Sequence, residues 1–322
     1  MTGPSGGAAG PVGSAGAPGA ANPSAAGHVG AGDRPGFGAR LARAMDEHGP
    51  LCVGVDPHAP LLAAWGLPDS ADGARELGLR VVDEVAGRVA ALKPQSAFFE
   101  RFGPAGWAAL QEVLAAATSA GLLTVLDVKR GDIGSTMAAY AAAHLGDDAP
   151  MPADAITVSP YLGPDSLTET AALAHANGRG VFALALTSNP EGAAVQHASV
   201  RGSGAGGSVA GEVARWAAAR NAEARTDDDV PGHVGLVVGA TTGTAVADLG
   251  LDLTGTGGIL LAPGVGAQGA GAEELRAVFG PARHRVLAAV SRSVLAAGPD
   301  RGAVARAARE TAGLVTSALR ES

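Results

Sequence analysis

Leu122–Leu123–Thr124–Val125–Leu126–Asp127–Val128–Lys129–Arg130–Gly131–Asp132–Ile133 sets the frame for the whole chain. It opens as a continuous apolar run, which predicts a strand buried on both faces. It closes on charges. Side chains alternate along a strand, so Asp127 and Lys129 are expected on the same side, with Asp132 beyond the strand end in the loop or first turn of the next helix. Burying a carboxylate and an ammonium at a strand end is costly unless the charges pair or are put to use. An ordinary strand-end salt bridge is the plain alternative.

Seven further apolar runs flank this one: Leu51–Cys52–Val53–Gly54–Val55–Asp56, Val89–Lys93, Ala155–Val158, Gly180–Leu186, Val234–Val238, Ile259–Ala262 and Val286–Val290. Helical segments alternate with them. Phe37, Leu41 and Met45 recur at helical spacing before the first run, and Leu77, Val81 and Val85 lie on one face after it. Others are expected around Trp107–Leu114, from Asp132 to about Leu145, from Pro164 to Ala176, through Val209, Val213 and Trp216, near Ala245, and from Ala303 to Leu319. Such alternation implies a parallel sheet with right-handed crossovers. Eight units in residues 36–322 predict a (β/α)₈ TIM barrel; an open doubly wound sheet is the alternative. The barrel is preferred because polar and charged residues end nearly every strand, and in a barrel those ends converge on one mouth. Residues 1–35 are Gly, Ala, Pro and Ser with few large apolar side chains, and are expected to be a disordered extension without a secretory signal.

Composition narrows the function. A net charge of −8 and the lack of a basic run argue against nucleic acid or an anionic membrane as partner, and no apolar run is long enough to span a bilayer. Cys52 is the sole cysteine, which rules out an internal disulfide and suits the cytoplasm. The eight histidines form no spaced zinc motif. Of 23 basic residues only Lys93 and Lys129 are lysine, and both end apolar runs. In a chain that otherwise uses arginine, two retained ammoniums point to chemistry, because lysine is a compact charge able to give up a proton.

Asp56, Lys93, Asp127 and Lys129 therefore meet at the predicted mouth, with Asp132 just beyond. Nearby opposite charges favour the ionised forms. Two later loops add a second feature: Pro263–Gly264–Val265–Gly266–Ala267–Gln268–Gly269 after the seventh run, and Ser291–Arg292–Ser293 after the eighth. Barrels commonly bind phosphate there, with glycines allowing backbone N–H groups close approach and an arginine gripping the anion.

Asp127-x-Lys129-x-x-Asp132-Ile133, Lys93 on the preceding strand and the Pro263–Gly269 loop together resemble orotidine 5′-phosphate decarboxylase over about Phe37 to Leu319. Val53–Gly54–Val55–Asp56–Pro57–His58 is similar to the opening strand of the family's longer bacterial (type 2-like) branch. The resemblance implies that Lys93, Asp127, Lys129 and Asp132 form an alternating charge array, and that Asp132 reaches the site of a second subunit in a homodimer, accompanied by Ile133 and Thr136. It implies that Asp56 binds a ribose hydroxyl with Lys93, that Ser188 meets the pyrimidine, and that Gln268 and Arg292 hold the phosphate. The implied reaction is decarboxylation of orotidine 5′-phosphate to UMP in pyrimidine biosynthesis, with no cofactor and no metal. Asp127 would crowd the departing carboxylate and Lys129 would protonate C6. The nearest rivals are keto-gulonate-phosphate decarboxylase and hexulose-phosphate synthase, which share D-x-K-x-x-D but use Mg²⁺ and carry a glutamate ligand where Lys93 stands. A non-catalytic sugar-phosphate sensor is the remaining alternative. No role follows for the Arg201–Gly207 spacer.

Overall fold

The computed structural model describes residues 3, 35–202, 207–224, 227, 229–266 and 269–320. Apart from Gly3 and Pro35, the expected disordered extension lies outside them, as do Gln268 and the middle of the Arg201–Gly207 spacer.

Eight strands form: β1 Leu51–Val55, β2 Ala91–Pro94, β3 Leu123–Arg130, β4 Ala155–Val158, β5 Gly180–Leu186, β6 Val234–Val238, β7 Leu260–Pro263 and β8 Val286–Val290. Each pairs in parallel with its neighbour in sequence, and β1 pairs with β8 through Leu51↔Ala288 and Val53↔Val290. That last pairing closes the barrel and rules out the open sheet.

Strand alternation divides the core in two. Leu51, Val53 and Val55 of β1, Leu126 and Val128 of β3, and Val286, Ala288 and Val290 of β8 face the surrounding helices. Cys52, Ala91, Val125, Ala155, Phe182, Leu261 and Leu287 fill the barrel interior. Because both faces are dry, the strands read as apolar runs rather than alternating ones. The helix Phe37–His48 stoppers the N-terminal end of the barrel. Phe37, Leu41 and Met45 pack into the inner cluster, and the Phe37 ring meets Phe182 edge-on at 5.9 Å. Its Arg40 pairs with Asp154 at 2.7 Å and reaches the Gly178 carbonyl at 2.8 Å. Asp154 in turn accepts the Thr124 N–H at 3.0 Å, so this helix is tied to the starts of β3, β4 and β5.

One inward set runs on toward the opposite end. Continuing the alternation past Cys52, Ala91, Val125 and Ala155 leads to Gly54, Lys93, Asp127 and Thr157. The helix Phe37–His48 plugs one end of the inner cluster with apolar side chains, and the polar members of this inward set lie toward the other.

Candidate active site

Asp127 is the hub of that end. It is buried, and each of its oxygens meets two donors. Oδ2 accepts from Lys93 Nζ at 3.1 Å and Gln95 Nε2 at 2.9 Å; Oδ1 accepts from Lys129 Nζ at 2.6 Å and Thr157 Oγ1 at 2.7 Å. Burial alone would raise the carboxyl pKa, but the flanking ammoniums and the hydrogen bonds outweigh it and bring it down to about 2. Lys93 shows the converse balance: burial lowers its pKa, yet Asp127 and Asp56 raise it overall, so the ammonium stays charged. The result is an ionised, geometrically fixed carboxylate between two cations. Burial, with smaller contributions from neighbouring carboxylates, pushes the Cys52 thiol beneath it up to about 12, which makes Cys52 inert packing.

Lys93 also lines a cavity of about 500 Å³ whose other walls include Gly54, Asp56, Pro263–Gly266, Gly269 and Ser291–Ser293. The wall is built by close backbone approach. A Cβ on Gly54 would stand 2.8 Å from Ser291 Cβ, so only glycine lets the ends of β1 and β8 come together there. Gly266 has φ +121°, and a Cβ on it would lie 3.2 Å from Ser293 Oγ, which shows how tightly the loop after β7 seats against the turn after β8. Asp56 Oδ1 and Ser291 Oγ are buried yet meet no hydrogen-bond partner among the described residues. An orphaned acceptor and an orphaned hydroxyl on two residues of the pocket wall suit a polyhydroxylated ligand. Arg292 is exposed at the rim.

The structure thus brings Asp56, Lys93, Asp127, Lys129 and Arg292 to one mouth. The other expected residues lie apart. Asp132 sits in the loop after β3, where its Oδ1 accepts the Ile133 N–H at 2.8 Å, and neither lysine lies within ion-pair distance of it among the described residues. Ile133 is 62% exposed, and Thr136 lies on the exposed side of the helix Gly134–Leu145. Ser188 is exposed just past β5 and is not part of the cavity wall. Gln268 lies outside the described residues. Gln95 and Thr157 were missed by sequence reasoning. Gln95 could have been found as the residue two beyond Lys93, whereas nothing local marks Thr157. His58 is an N-cap: its Nδ1 accepts the Leu61 N–H at 3.2 Å.

Fold and site together define a class: (β/α)₈-barrel enzymes whose glycine-rich pocket, built largely after the last two strands, adjoins a lysine–aspartate–lysine array. Residues 49–308 match the model of the orotidine 5′-phosphate decarboxylase / HUMPS family, and the chain belongs to that family. It is 55% identical over 272 residues to the orotidine 5′-phosphate decarboxylase of Salinispora arenicola, covering 84% of this chain and 94% of that protein. It is 54% identical over 287 residues to that of Streptomyces coelicolor, covering 89% and 99%. A crystal structure of a Streptomyces avermitilis protein assigned the same activity superposes with a TM-score of 0.84 at 49% identity, covering 91% of this chain and 99% of that one.

Proposed function

We propose that this chain converts orotidine 5′-phosphate to UMP and CO₂ without metal or cofactor, as the last step of pyrimidine nucleotide synthesis. The observation that carries the reading is the ionised Asp127, clasped by Lys129 and by Lys93, which itself lines a pocket that ends in Arg292. The phosphate sits against the Pro263–Gly269 loop, Gln268 and Arg292. The ribose hydroxyls satisfy Asp56 and Lys93, and the pyrimidine extends toward Ser188. The substrate carboxylate then lies against Asp127. When the C6–carboxyl bond breaks, its electron pair stays on C6 and CO₂ departs. Lys129 stabilises the developing charge, gives C6 a proton and is reprotonated from solvent. Asp127 cannot relax away from the substrate carboxylate, because four donors hold it. The phosphate contacts supply binding energy remote from the reacting carbon.

The donor set does not suit a divalent cation. Two ammoniums, Lys93 at 3.1 Å and Lys129 at 2.6 Å, already flank Asp127, and no group of three His, Cys, Asp or Glu among the described residues could hold a metal. Purified protein should therefore deplete orotidine 5′-phosphate absorbance equally with and without EDTA. Conversion lost to chelator, or turnover of keto-sugar phosphates instead, would overturn this reading. Arg292→Ala should raise the KM for orotidine 5′-phosphate by roughly 10- to 100-fold, the range of a lost charge-assisted hydrogen bond. An unchanged KM would remove Arg292 from the phosphate site.

A homodimer with shared sites completes the proposal. Ile133, Tyr140, Tyr161 and Leu162 are large hydrophobic residues left exposed on and near the helix that follows the array, and Asp132 at the start of this face has no lysine partner among the described residues. Covering the face with a second copy would bury the apolar surface and bring Asp132 to the partner's array. Residues 36–322 act as one catalytic unit, and a cytoplasmic setting fits the single buried thiol and the lack of any described helix long and apolar enough to cross a membrane.

A further inference from the structure

The charge array stands on an interruption in the β3–β4 ladder. Leu126 pairs with Ile156 and Arg130 with Val158, so β3 takes four steps where β4 takes two. The extra residues bulge, and Asp127 and Lys129 both lie in the bulge. Lys129 has φ +45°, which no other non-glycine among the described residues shares in sign. This conformation is disfavoured for a residue with a side chain and persists only when its surroundings hold it. Opposite the bulge stands Thr157, 1% exposed and facing the barrel interior. Its hydroxyl accepts the Lys129 N–H at 2.9 Å and donates to Asp127 Oδ1 at 2.7 Å. A hydroxyl has one proton and two lone pairs. Here the proton is committed to the carboxylate and a lone pair to the backbone that the regular ladder would otherwise have satisfied.

We infer that Thr157 is a positioning residue for decarboxylation: its hydroxyl closes the bulge that aims Lys129 and fixes the carboxylate of Asp127 against it. The inference rests on Asp127 and Lys129 being the reacting pair. Bulges beside active sites re-aim side chains, and this one does so through a side chain rather than through the backbone. The same Oδ1 receives both Thr157 Oγ1 and Lys129 Nζ. One hydroxyl therefore ties the origin of the lysine, at its backbone, to the target of its head.

Valine has nearly the shape of threonine but neither donates nor accepts, so Thr157→Val removes both contacts at constant volume. Thr157→Ser restores them. Steady-state kinetics with orotidine 5′-phosphate and calorimetric binding of UMP should be compared for wild type, both variants and Lys129→Ala. Thr157→Val is expected to lose roughly 30- to 100-fold in kcat, the scale of a misplacement near 1 Å, with KM and UMP affinity within about threefold of wild type. Thr157→Ser should recover kcat to within about threefold of wild type on the same scale. Three results would overturn the inference: a Thr157→Val kcat near wild type while Lys129→Ala is inactive, a loss of UMP binding that matches the loss of kcat, or no rescue by serine. A wild-type protein that does not turn over orotidine 5′-phosphate would instead overturn the decarboxylase reading beneath it.

Discussion

Lys129→Ala should lose at least roughly 10⁴-fold in kcat, since in the proposed mechanism one ammonium supplies both electrostatic stabilisation and the proton. UMP should still bind, because the pocket wall from Gly54 to Arg292 does not include Lys129. The side chain of Lys129 is 47% exposed, so its removal leaves the buried Lys93–Asp127 contact in place and the barrel folded. Lys129→Arg should be no better, because a guanidinium is always charged and does not release its proton at C6. Turnover near wild type in either variant refutes the assignment. The same variant tests the shared site. Mixed with Asp132→Ala and allowed to exchange subunits, Lys129→Ala should regain activity: random pairing makes half the dimers mixed, each with one intact site, or about a quarter of wild-type activity. No recovery on mixing would place Asp132 outside the partner's site.

The second large effect is on stability. Lys93→Met removes a buried partner of Asp127, and breaking such a pair costs about 3–5 kcal/mol because a buried charge is left poorly compensated. Its pH dependence has a definite sign. In the folded protein the Asp127 carboxyl lies near 2, below its ordinary 3.8, so its contribution is present above about pH 4 and is lost as pH falls toward 2. The shift corresponds to roughly 2 kcal/mol. The difference between wild type and Lys93→Met in urea unfolding should therefore be largest near neutrality and shrink as pH falls below about 4, where protonation removes the unpaired charge. The double variant Lys93→Met/Asp127→Leu should regain much of the loss, since neither charge then remains to be compensated. A pH-independent difference would mean that the Lys93 stem, not its charge, carries the stability.

The barrel was legible because its signals are local. A strand buried on both faces must be apolar throughout, and β4, β5, β6 and β8 lie where the apolar runs stand. Asp127 and Lys129 could be placed together from alternation, and Lys93 and Lys129 stood out against an arginine-rich background. Yet alternation accounts for their meeting only in part: they share a side across a bulge with Lys129 at φ +45°, not along a regular strand. Closure of the sheet, in contrast, depends on β1 meeting β8, more than two hundred residues apart.

Partners that lie far apart in the chain left no mark in it. Arg40 and Asp154 are separated by 114 positions, and neither is unusual in its own neighbourhood; only the plugging of the barrel's lower end makes them a pair. Thr157 looks like any β-branched residue in a strand, and its importance comes from the register of β3 against β4. The types of residue available for chemistry are a property of the chain, because side-chain chemistry and strand periodicity are local. Which hydroxyl holds which carboxylate is a property of packing, because a shift of one residue in the pairing of two strands would turn Thr157 away from Asp127 and leave the composition unchanged.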